Sequence, residues 1–195
     1  DYGKIHEGIN SIAITSNNKY LFTSDVRDNG HVKQFPVRRG LMNKDYGVIF
    51  KDGVESINTT PDTNYLFAAT YQGHLKQISL ESQQVVQDYG KIHDNRILCL
   101  ETTRDSKWLI TGSWDKHVKR ISVENREVDK DFGQVYDNFI TAMKITADGD
   151  KLLVGDDQGH LKLISSRDGE VIKDFGRDHW GQITGIMIIA AVYYT

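Results

Sequence analysis

The chain has one cysteine, Cys99, and two prolines among its 195 residues. A single cysteine excludes an internal disulfide and gives no sign of an oxidising compartment, so we expect an intracellular, cytoplasmic protein. The longest apolar run, Ile186–Val192, is far too short to span a bilayer, and no membrane association is expected. The net charge of −3 lacks the basic footprint of nucleic-acid binding.

Sequence signatures of enzymes are missing as well. There is no Gly-x-Ser-x-Gly, no phosphate-binding glycine-rich loop and no His-Glu-x-x-His. Acidic residues are scattered mostly over turns, with no isolated pair of the kind used in acid–base catalysis. Asp25 with Asp28, and Asp156 with Asp157, offer weak Ca²⁺ sites, but a polar turn is the simpler interpretation. We therefore expect a protein that is not an enzyme and that binds no cofactor or metal.

What the sequence does contain is a repeat. The marker Asp-Tyr/Phe-Gly recurs with spacings of 44, 43, 43 and 43 residues, at Asp1, Asp45, Asp88, Asp131 and Asp174. A fixed period of about 40–45 residues indicates an array of structural units. The predicted repeats are 1–44, 45–87, 88–130 and 131–173, followed by a partial repeat at 174–195.

The third repeat shows the internal plan most clearly. Its apolar segments are separated by short polar turns, and they cover Arg96–Thr102, Trp108–Gly112, His117–Val123 and Glu127–Phe132. This spacing suits antiparallel strands, and no window holds the apolar period of a helix. The other predicted strands are Ile9–Thr15, Tyr20–Ser24, His31–Val37, Leu41–Tyr46, Val54–Thr59, Tyr65–Ala69, His74–Leu80, Gln84–Tyr89, Ile140–Thr146, Lys151–Gly155, His160–Ser165, Glu170–Phe175 and Ile183–Ile189.

Sheets of this size predict a stacked architecture. A four-stranded sheet cannot bury both faces alone, so successive sheets must pack against each other. Arranged radially, such sheets form a β-propeller of roughly 4–8 blades. We therefore predict an all-β fold, a β-propeller of four-stranded antiparallel blades with about four and a half repeats, forming a single domain over residues 1–195.

The third repeat resembles the WD-repeat family over most of its length. His93 stands where the family unit begins with Gly-His, Leu109–Ser113 matches the Leu-Ala-Ser-Gly-Ser segment, and Asp115 is the tight-turn aspartate. The departure is Ile121-Ser122, which replaces the Trp-Asp that gives the family its name. In the family, His, Ser/Thr, Asp and Trp form a buried hydrogen-bonded network. The resemblance implies that His93, Thr111 and Asp115 form the remaining part of it.

The other repeats keep less of this network. The first retains His6 and Thr23, with Asp28 or Asn29 near the turn position. The second and fourth repeats carry Phe50, Ala68, Gln72 and Tyr136, Val154, Gln158 at the same places. We expect these two blades to be apolar there, because an unpaired buried polar group costs about 1–3 kcal/mol.

The histidines and four of the lysines follow the repeat, so we interpret both sets as structural. The histidines occupy two repeated positions, with His6, His93 and His179 opening the unit and His31, His74, His117 and His160 starting the third strand. A catalytic residue usually breaks a repeat, because chemistry needs one site. The lysines Lys33, Lys76, Lys119 and Lys162 share one register. We expect them to be solvated or paired with acids such as Glu127 and Glu170; the alternative is a cationic row for an acidic partner.

Differences between repeats are better indicators of a binding site. In WD propellers a face formed by the loops between strands four and one, and two and three, commonly meets partners. On that face this chain places Arg27, Tyr71, Trp114, Lys116, Asn138, Phe139, Asp157 and Trp180. Exposed aromatic residues and arginine carry much of the energy of interfaces. Trp114 has little local reason to lie in a tight turn; it is either a binding residue or packs across the adjacent loop.

We predict a non-catalytic protein–protein interaction scaffold of WD-repeat type, with other proteins as its partners. The alternative is a propeller that binds a small ligand or catalyses a reaction at its central channel, where the innermost strands place Glu55, Glu101, Thr141 and Lys144. Four blades and one further innermost strand do not form a complete WD-type ring, which usually has about seven blades. We therefore expect the remainder of a longer propeller, or a homodimer that closes a ring of eight blades (4 + 4), with a four-bladed ring within one chain as the remaining possibility.

Overall fold

A computed structural model of the chain describes residues 8–26, 30–38, 42–177 and 181–188. Within these residues every regular element is a β-strand, and sixteen strands form four antiparallel sheets of four strands each. The strands of each sheet are neighbours in chain order. No helix in this part of the chain is long and apolar enough to cross a membrane. The prediction of an all-β fold is confirmed.

The first three strands of each sheet lie within one predicted repeat, and the outermost strand crosses into the next. We number the four sheets as blades 1 to 4. Blade 1 contains β1 (Ser11–Ile14), β2 (Tyr20–Ser24), β3 (His31–Pro36) and β4 (Lys44–Val48). Blade 2 contains β5 (Ser56–Thr59), β6 (Tyr65–Ala69), β7 (His74–Ser79) and β8 (Val85–Lys91). Blade 3 contains β9 (Ile97–Thr102), β10 (Trp108–Ser113), β11 (His117–Ser122) and β12 (Glu127–Gln134). Blade 4 contains β13 (Ile140–Ile145), β14 (Lys151–Asp156), β15 (His160–Ser165) and β16 (Val171–Arg177).

The outermost strands run further than predicted, because they continue through the marker. The marker glycine has a positive φ, +66° at Gly90 and +77° at Gly133, which glycine adopts without steric penalty. Its N–H donates to the marker aspartate two residues earlier, at 2.9 Å for Asp88 and 2.8 Å for Asp131. The register with the neighbouring strand shifts at this point, as in a β-bulge. The marker aspartate therefore acts within a bulged strand.

Apolar cores lie between successive blades. The innermost strands pack in order, β1 against β5, β5 against β9 and β9 against β13. Each core joins side chains from two facing sheets, and fully buried examples are Phe22 with Leu66, Phe67 with Leu109, and Ile110 with Leu152. Removing this apolar surface from water contributes about 25 cal/mol per Å², so the stacking of blades stabilises the fold.

The two ends of the row of blades differ. On blade 1, Ile12 is 61% exposed, whereas Ile57, Leu100 and Met143 at the same repeat position are 5%, 6% and 6% exposed. Beyond blade 4, residues 182–188 lie beside β13, and the Ile183 N–H donates to the Asp156 carbonyl at 3.1 Å. This segment lies where the sequence predicts the start of a fifth repeat. However, its described residues belong to none of the four sheets, and Ile189 lies outside the described residues.

Candidate functional site

The repeated lysines have structural partners. Their ammonium groups donate to backbone carbonyls of the segment that arrives from the preceding blade: Lys76 to Ile49 at 3.0 Å, Lys119 to Ile92 at 2.7 Å and Lys162 to Val135 at 2.9 Å. The same lysines lie 3.5, 3.4 and 3.9 Å from the marker aspartates Asp88, Asp131 and Asp174. The paired acids are therefore these aspartates, and not Glu127 and Glu170. These three charges are used within the blades, which argues against a cationic row.

In blade 3 the structure brings His93, Thr111 and Asp115 together. His93 Nδ1 lies 2.8 Å from Asp115 Oδ2, and Nε2 lies 2.8 Å from Thr111 Oγ1. Burial disfavours the Asp115 carboxylate, but the hydrogen bond and charge of His93 and two backbone N–H groups hold its pKa well below the ordinary value. With Ile121 in place of the family tryptophan, the Thr111 hydroxyl donates to the Lys119 carbonyl at 3.4 Å. In blade 1, Thr23 is buried in β2, and His6, Asp28 and Asn29 lie outside the described residues.

Blades 2 and 4 fill the histidine position with an aromatic ring covered by a lysine. Lys76 Nζ is 4.4 Å from the centre of the Phe50 ring, and Lys162 Nζ is 4.4 Å from that of Tyr136. Blade 4 is not purely apolar here, because the Tyr136 hydroxyl donates to the Val154 carbonyl at 2.7 Å. The expectation of two apolar blades therefore holds for blade 2 and is wrong for blade 4.

Histidines at the start of the third strand pair with nearby acids. His31 lies 3.0 Å from Asp45, His117 lies 3.0 Å from Asp131 and His160 lies 2.7 Å from Asp156. Asp156 also accepts the backbone N–H groups of residues 158 and 160, so it caps the turn before β15. Among the described residues, no group of three or more His, Cys, Asp or Glu side chains is arranged to hold a metal ion.

Tyr71, Trp114 and Phe139, all proposed from the sequence, form one stack, in which Arg96 lies between Tyr71 and Trp114. The Arg96 guanidinium lies over the Tyr71 ring at 4.8 Å and over the Trp114 ring at 4.7 Å. Trp114 stacks on Phe139, with ring centres 4.9 Å apart and planes 9° from parallel. We call Tyr71, Arg96, Trp114 and Phe139 the aromatic ladder. It crosses from blade 2 to blade 4, and Tyr71 and Phe139 are 51% and 36% exposed.

Two repeat positions build the aromatic ladder. Tyr71 and Trp114 are 43 residues apart and follow the second strand of their blades, whereas Arg96 and Phe139, also 43 apart, precede an innermost strand. A backbone hydrogen bond joins these positions within a blade, from Trp114 N–H to the Arg96 carbonyl at 2.9 Å. The same bond runs from Asp157 N–H to the Phe139 carbonyl at 3.1 Å. These bonds set the two positions side by side within blades 3 and 4, and the residue types decide which contact forms with the neighbouring blade.

A buried carboxylate fixes the arginine of the ladder. Glu55 Oε1 lies 3.0 Å from an Arg96 terminal nitrogen, and the Glu55 side chain is almost fully buried. Three buried polar atoms here have no hydrogen-bond partner among the described residues: Glu55 Oε2, Arg96 Nε and Trp114 Nε1. Sequence reasoning missed Arg96, because it was assigned to a strand. The signal was its repeat equivalence with Phe139.

The remaining proposed residues lie around the ladder or outside the described residues. The Asp157 carboxylate accepts the Phe139 N–H at 3.2 Å, so it supports the Phe139 loop. Lys116 adopts a positive φ of 76° in the tight turn beside Trp114, and its side chain is half-buried. The Asn138 amide donates to Asp156 at 2.9 Å. Arg27 and Trp180 lie outside the described residues.

The innermost strands contain a separate polar pair. Lys144 Nζ lies 3.0 Å from Glu101 Oε1, in a cavity of about 470 Å³ that β9, β13 and residues 184–188 line. Burial raises the pKa of Glu101, and the charge and hydrogen bond of Lys144 oppose this shift. Thr141 also lines the cavity and donates to the Ile183 carbonyl at 2.8 Å, whereas Glu55 pairs with Arg96 of the ladder. Of the four channel residues expected from the sequence, three line this cavity.

These features define a β-propeller with an exposed aromatic and arginine surface on one loop face. The sequence model of the family described as WD domain, G-beta repeat, matches residues 85–120, within and just before the third repeat. The predicted resemblance to WD repeats is thereby confirmed. No curated protein matches the sequence.

Solved structures also share the fold. One of them is hydrazine synthase from Kuenenia stuttgartiensis, with a TM-score of 0.77 and 16% sequence identity, over 86% of this chain and 48% of that chain. At this identity the similarity shows the fold alone. This chain spans about half the length of that one, and that protein is an enzyme, so the shared fold does not decide between binding and catalysis.

Proposed function

We propose that this chain is a non-catalytic protein-interaction scaffold whose contact surface is the aromatic ladder. The WD-type repeat supports this proposal, because domains built from such repeats generally mediate protein–protein interactions. The observation that carries it is the continuous stack of Tyr71, Arg96, Trp114 and Phe139 across three blades. Tryptophan, tyrosine and arginine are the residue types that contribute most to interface energy.

Preorganisation strengthens the proposal. Free side chains lose conformational entropy when a partner immobilises them, about 0.5–1.5 kcal/mol each. In the ladder, this ordering is already present, because Glu55 holds Arg96 and Phe139 stacks on Trp114. The surface therefore offers apolar area and a fixed guanidinium with little further loss of entropy on binding.

A second candidate function is binding of a small ligand in the central cavity. The specific observation is the Glu101–Lys144 pair in a cavity of about 470 Å³. A broad small-molecule screen by thermal shift tests it. A clear rise in melting temperature with one compound, lost in Glu101→Gln, would contradict the scaffold-only proposal.

We further propose that additional blades complete the propeller. The exposed side of blade 1 supports this, because Ile12 lies at a position that is buried in the other three blades. The additional blades come either from a longer chain or from a second copy that closes a ring of eight. We also propose that the scaffold is cytoplasmic, as expected from the lone Cys99.

The contact surface is testable with a selection of displayed peptides on the folded protein. The binders are then measured by titration against Phe139→Ala. The matched control is Phe175→Ala, because Phe175 is 37% exposed on the outermost strand of blade 4 and Phe139 is 36% exposed. We expect Phe139→Ala to weaken the binders roughly 30-fold, as for an interface residue of about 2 kcal/mol, and Phe175→Ala to leave them unchanged. Equal effects of the two variants would refute the proposed surface.

A further inference from the structure

We propose that the partner segment places an arginine side chain on the Phe139 end of the aromatic ladder, beside Asp137 and Asp157. This inference rests on the proposed function and names the chemistry of the partner. It follows from three observations: how the ladder uses its own arginine, where that arrangement stops, and which charges lie there.

The ladder shows which group its aromatic faces accept. Tyr71 and Trp114 both contact the Arg96 guanidinium, at 4.8 and 4.7 Å. A cation over an aromatic face is attracted by the negative charge of the π-system. A guanidinium is planar and weakly hydrated, so it stacks on a ring with a small desolvation penalty.

This arrangement changes at the junction of blades 3 and 4. At the junction of blades 2 and 3, Tyr71 meets an arginine, but at the equivalent place Trp114 meets Phe139. One side of the Phe139 ring stacks on Trp114, and 36% of the residue remains exposed. The chain's own guanidinium is compensated by Glu55 at 3.0 Å. Phe139 is therefore a partly exposed aromatic residue to which the described residues bring no cation.

Two aspartates without a cationic partner among the described residues lie in the loops that hold Phe139. Asp137 is exposed, and its side chain has no partner among the described residues. Asp157 accepts only neutral donors, the Phe139 N–H at 3.2 Å and the Gln158 amide at 3.3 Å. In the neighbouring loop of blade 3, the exposed Asp94 carboxylate lies 3.4 Å from the Lys91 ammonium group and is already paired. The cation nearest in sequence to Trp114 is Lys116. Two aspartates thus lie within the loops that hold Phe139, so a cationic partner group is favoured there over an anionic one.

Arginine fits this combination better than lysine. A guanidinium stacks flat on a ring and donates two parallel hydrogen bonds to a carboxylate, whereas an ammonium group acts as a point charge. The site offers both a ring and carboxylates in adjacent positions of blade 4. The occupant is therefore an arginine-containing segment of a partner protein, docked across the loop face.

The test uses the peptides selected on the folded protein. Each arginine is replaced in turn by citrulline, which keeps the shape and planarity of the side chain but removes its charge, and separately by lysine. We expect one citrulline substitution to weaken binding at least tenfold, and lysine at the same position to restore only part of the loss. On the protein side, Asp137→Asn weakens the same peptides about threefold, and the loss shrinks in high salt because the interaction is ionic. Glu124→Gln, an exposed carboxylate in the turn after β11 on blade 3, is the matched control and leaves binding unchanged.

The outcomes separate this inference from the proposed function. Peptides that lose affinity in Phe139→Ala but tolerate citrulline at every arginine, or that contain no arginine, overturn the inference and leave the contact surface standing. Full recovery of affinity with lysine at the same position would indicate a site for any cation instead of a guanidinium site, and it also overturns the inference. Peptides that are indifferent to Phe139→Ala, or failure to obtain any that depend on it, overturn the proposed function and the inference together. Circular dichroism melts of each variant show whether a loss of binding reflects unfolding.

Discussion

At the scale of single residues, the repeats change in pairs. The Tyr46 hydroxyl donates to Gln34 at 2.7 Å, and the Tyr89 hydroxyl donates to Gln77 at 2.7 Å. Where phenylalanine replaces the tyrosine, at positions 132 and 175, the partner position holds Arg120 or Leu163. Burial raises the pKa of Tyr46 to about 12, so the hydroxyl stays protonated and remains a donor. At this repeat position a tyrosine hydroxyl is thus present only where a glutamine side chain accepts its hydrogen bond.

Tyr89→Phe is therefore expected to lower the free energy of unfolding by about 1–2 kcal/mol, because it leaves the buried Gln77 oxygen without its donor. Adding Gln77→Leu, which reproduces the pair of blade 4, recovers part of the loss. Urea denaturation of both single variants and the double variant measures the coupling. Additive effects would show that the two residues act independently.

The His93–Asp115 contact makes stability depend on pH. The folded state holds the pKa of Asp115 below its ordinary value of 3.8, so its stabilisation is present above that value and is lost as the pH falls through the folded pKa. Asp115→Asn leaves the buried His93 with a weaker partner and lowers the free energy of unfolding at pH 7 by about 1–3 kcal/mol.

In that variant the decline of stability below about pH 4 is shallower than in the wild type, because one titrating group is absent. Denaturation series between pH 7 and pH 3 measure both quantities, with Asp52→Asn in an exposed loop as the control. Parallel curves for wild type and Asp115→Asn would contradict this prediction.

At the scale of elements, the marker shows how one tripeptide shapes a strand. Its glycine adopts a positive φ in each blade, +72° at Gly47 and +74° at Gly176, and the aspartate two residues earlier accepts the glycine N–H. The resulting bulge turns the aspartate towards the lysine of the neighbouring strand. The marker therefore positions a carboxylate beside the lysine of the neighbouring strand, and it extends the outermost strand.

Gly90→Ala tests this role of the marker. No atom lies within 4 Å of the added Cβ, so the expected loss of about 1–2 kcal/mol comes from the left-handed backbone alone. Gly185→Ala is the matched control, since its Cβ also meets no atom within 4 Å but its φ is not positive. Chemical denaturation compares the two. An equal and small effect of both would mean that the bulge tolerates a side chain.

Sequence reasoning predicted the strands well because their pattern is local. The alternation of apolar and polar residues, the polar turns and the 43-residue period predicted the strands of all four blades. The third strand of each blade begins at the expected histidine. The lysine partners were wrong because a bulge shifts the register, which no apolar pattern reveals. The ladder was only partly predictable: Tyr71, Trp114 and Phe139 were chosen as exposed loop residues, but their contact through Arg96 depends on how neighbouring blades align.

At the scale of the whole molecule, the row of blades has an apolar side to which the described residues bring no neighbouring sheet. Ile12 and Ile14 are exposed on β1, on the side that the other blades bury against the preceding sheet. Contiguous exposed apolar surface of this kind marks an interaction site or promotes association. A second copy or further blades of a longer chain would cover it.

The double variant Ile12→Asp/Ile14→Asp distinguishes a second copy from further blades of a longer chain. The quantity compared is the association state of the isolated chain. If copies associate through blade 1, light scattering shows a mass above 22.2 kDa that rises with concentration and falls to the monomer in the variant. Val85→Asp on the outermost strand of blade 2 is the control and retains the association. A wild-type monomer at every concentration would contradict the homodimer and favour a longer chain.

The lysine contacts between blades also have a mechanical consequence. Each of the three bonds ties a blade to a carbonyl 27 residues earlier, on the segment that crosses from the blade before it. Under a stretching force on the two ends, such a bond acts as a latch that must open before its crossing segment can be drawn out. Since each blade packs only against its neighbours, the latches release one after another, and the extension grows in steps of one 43-residue repeat.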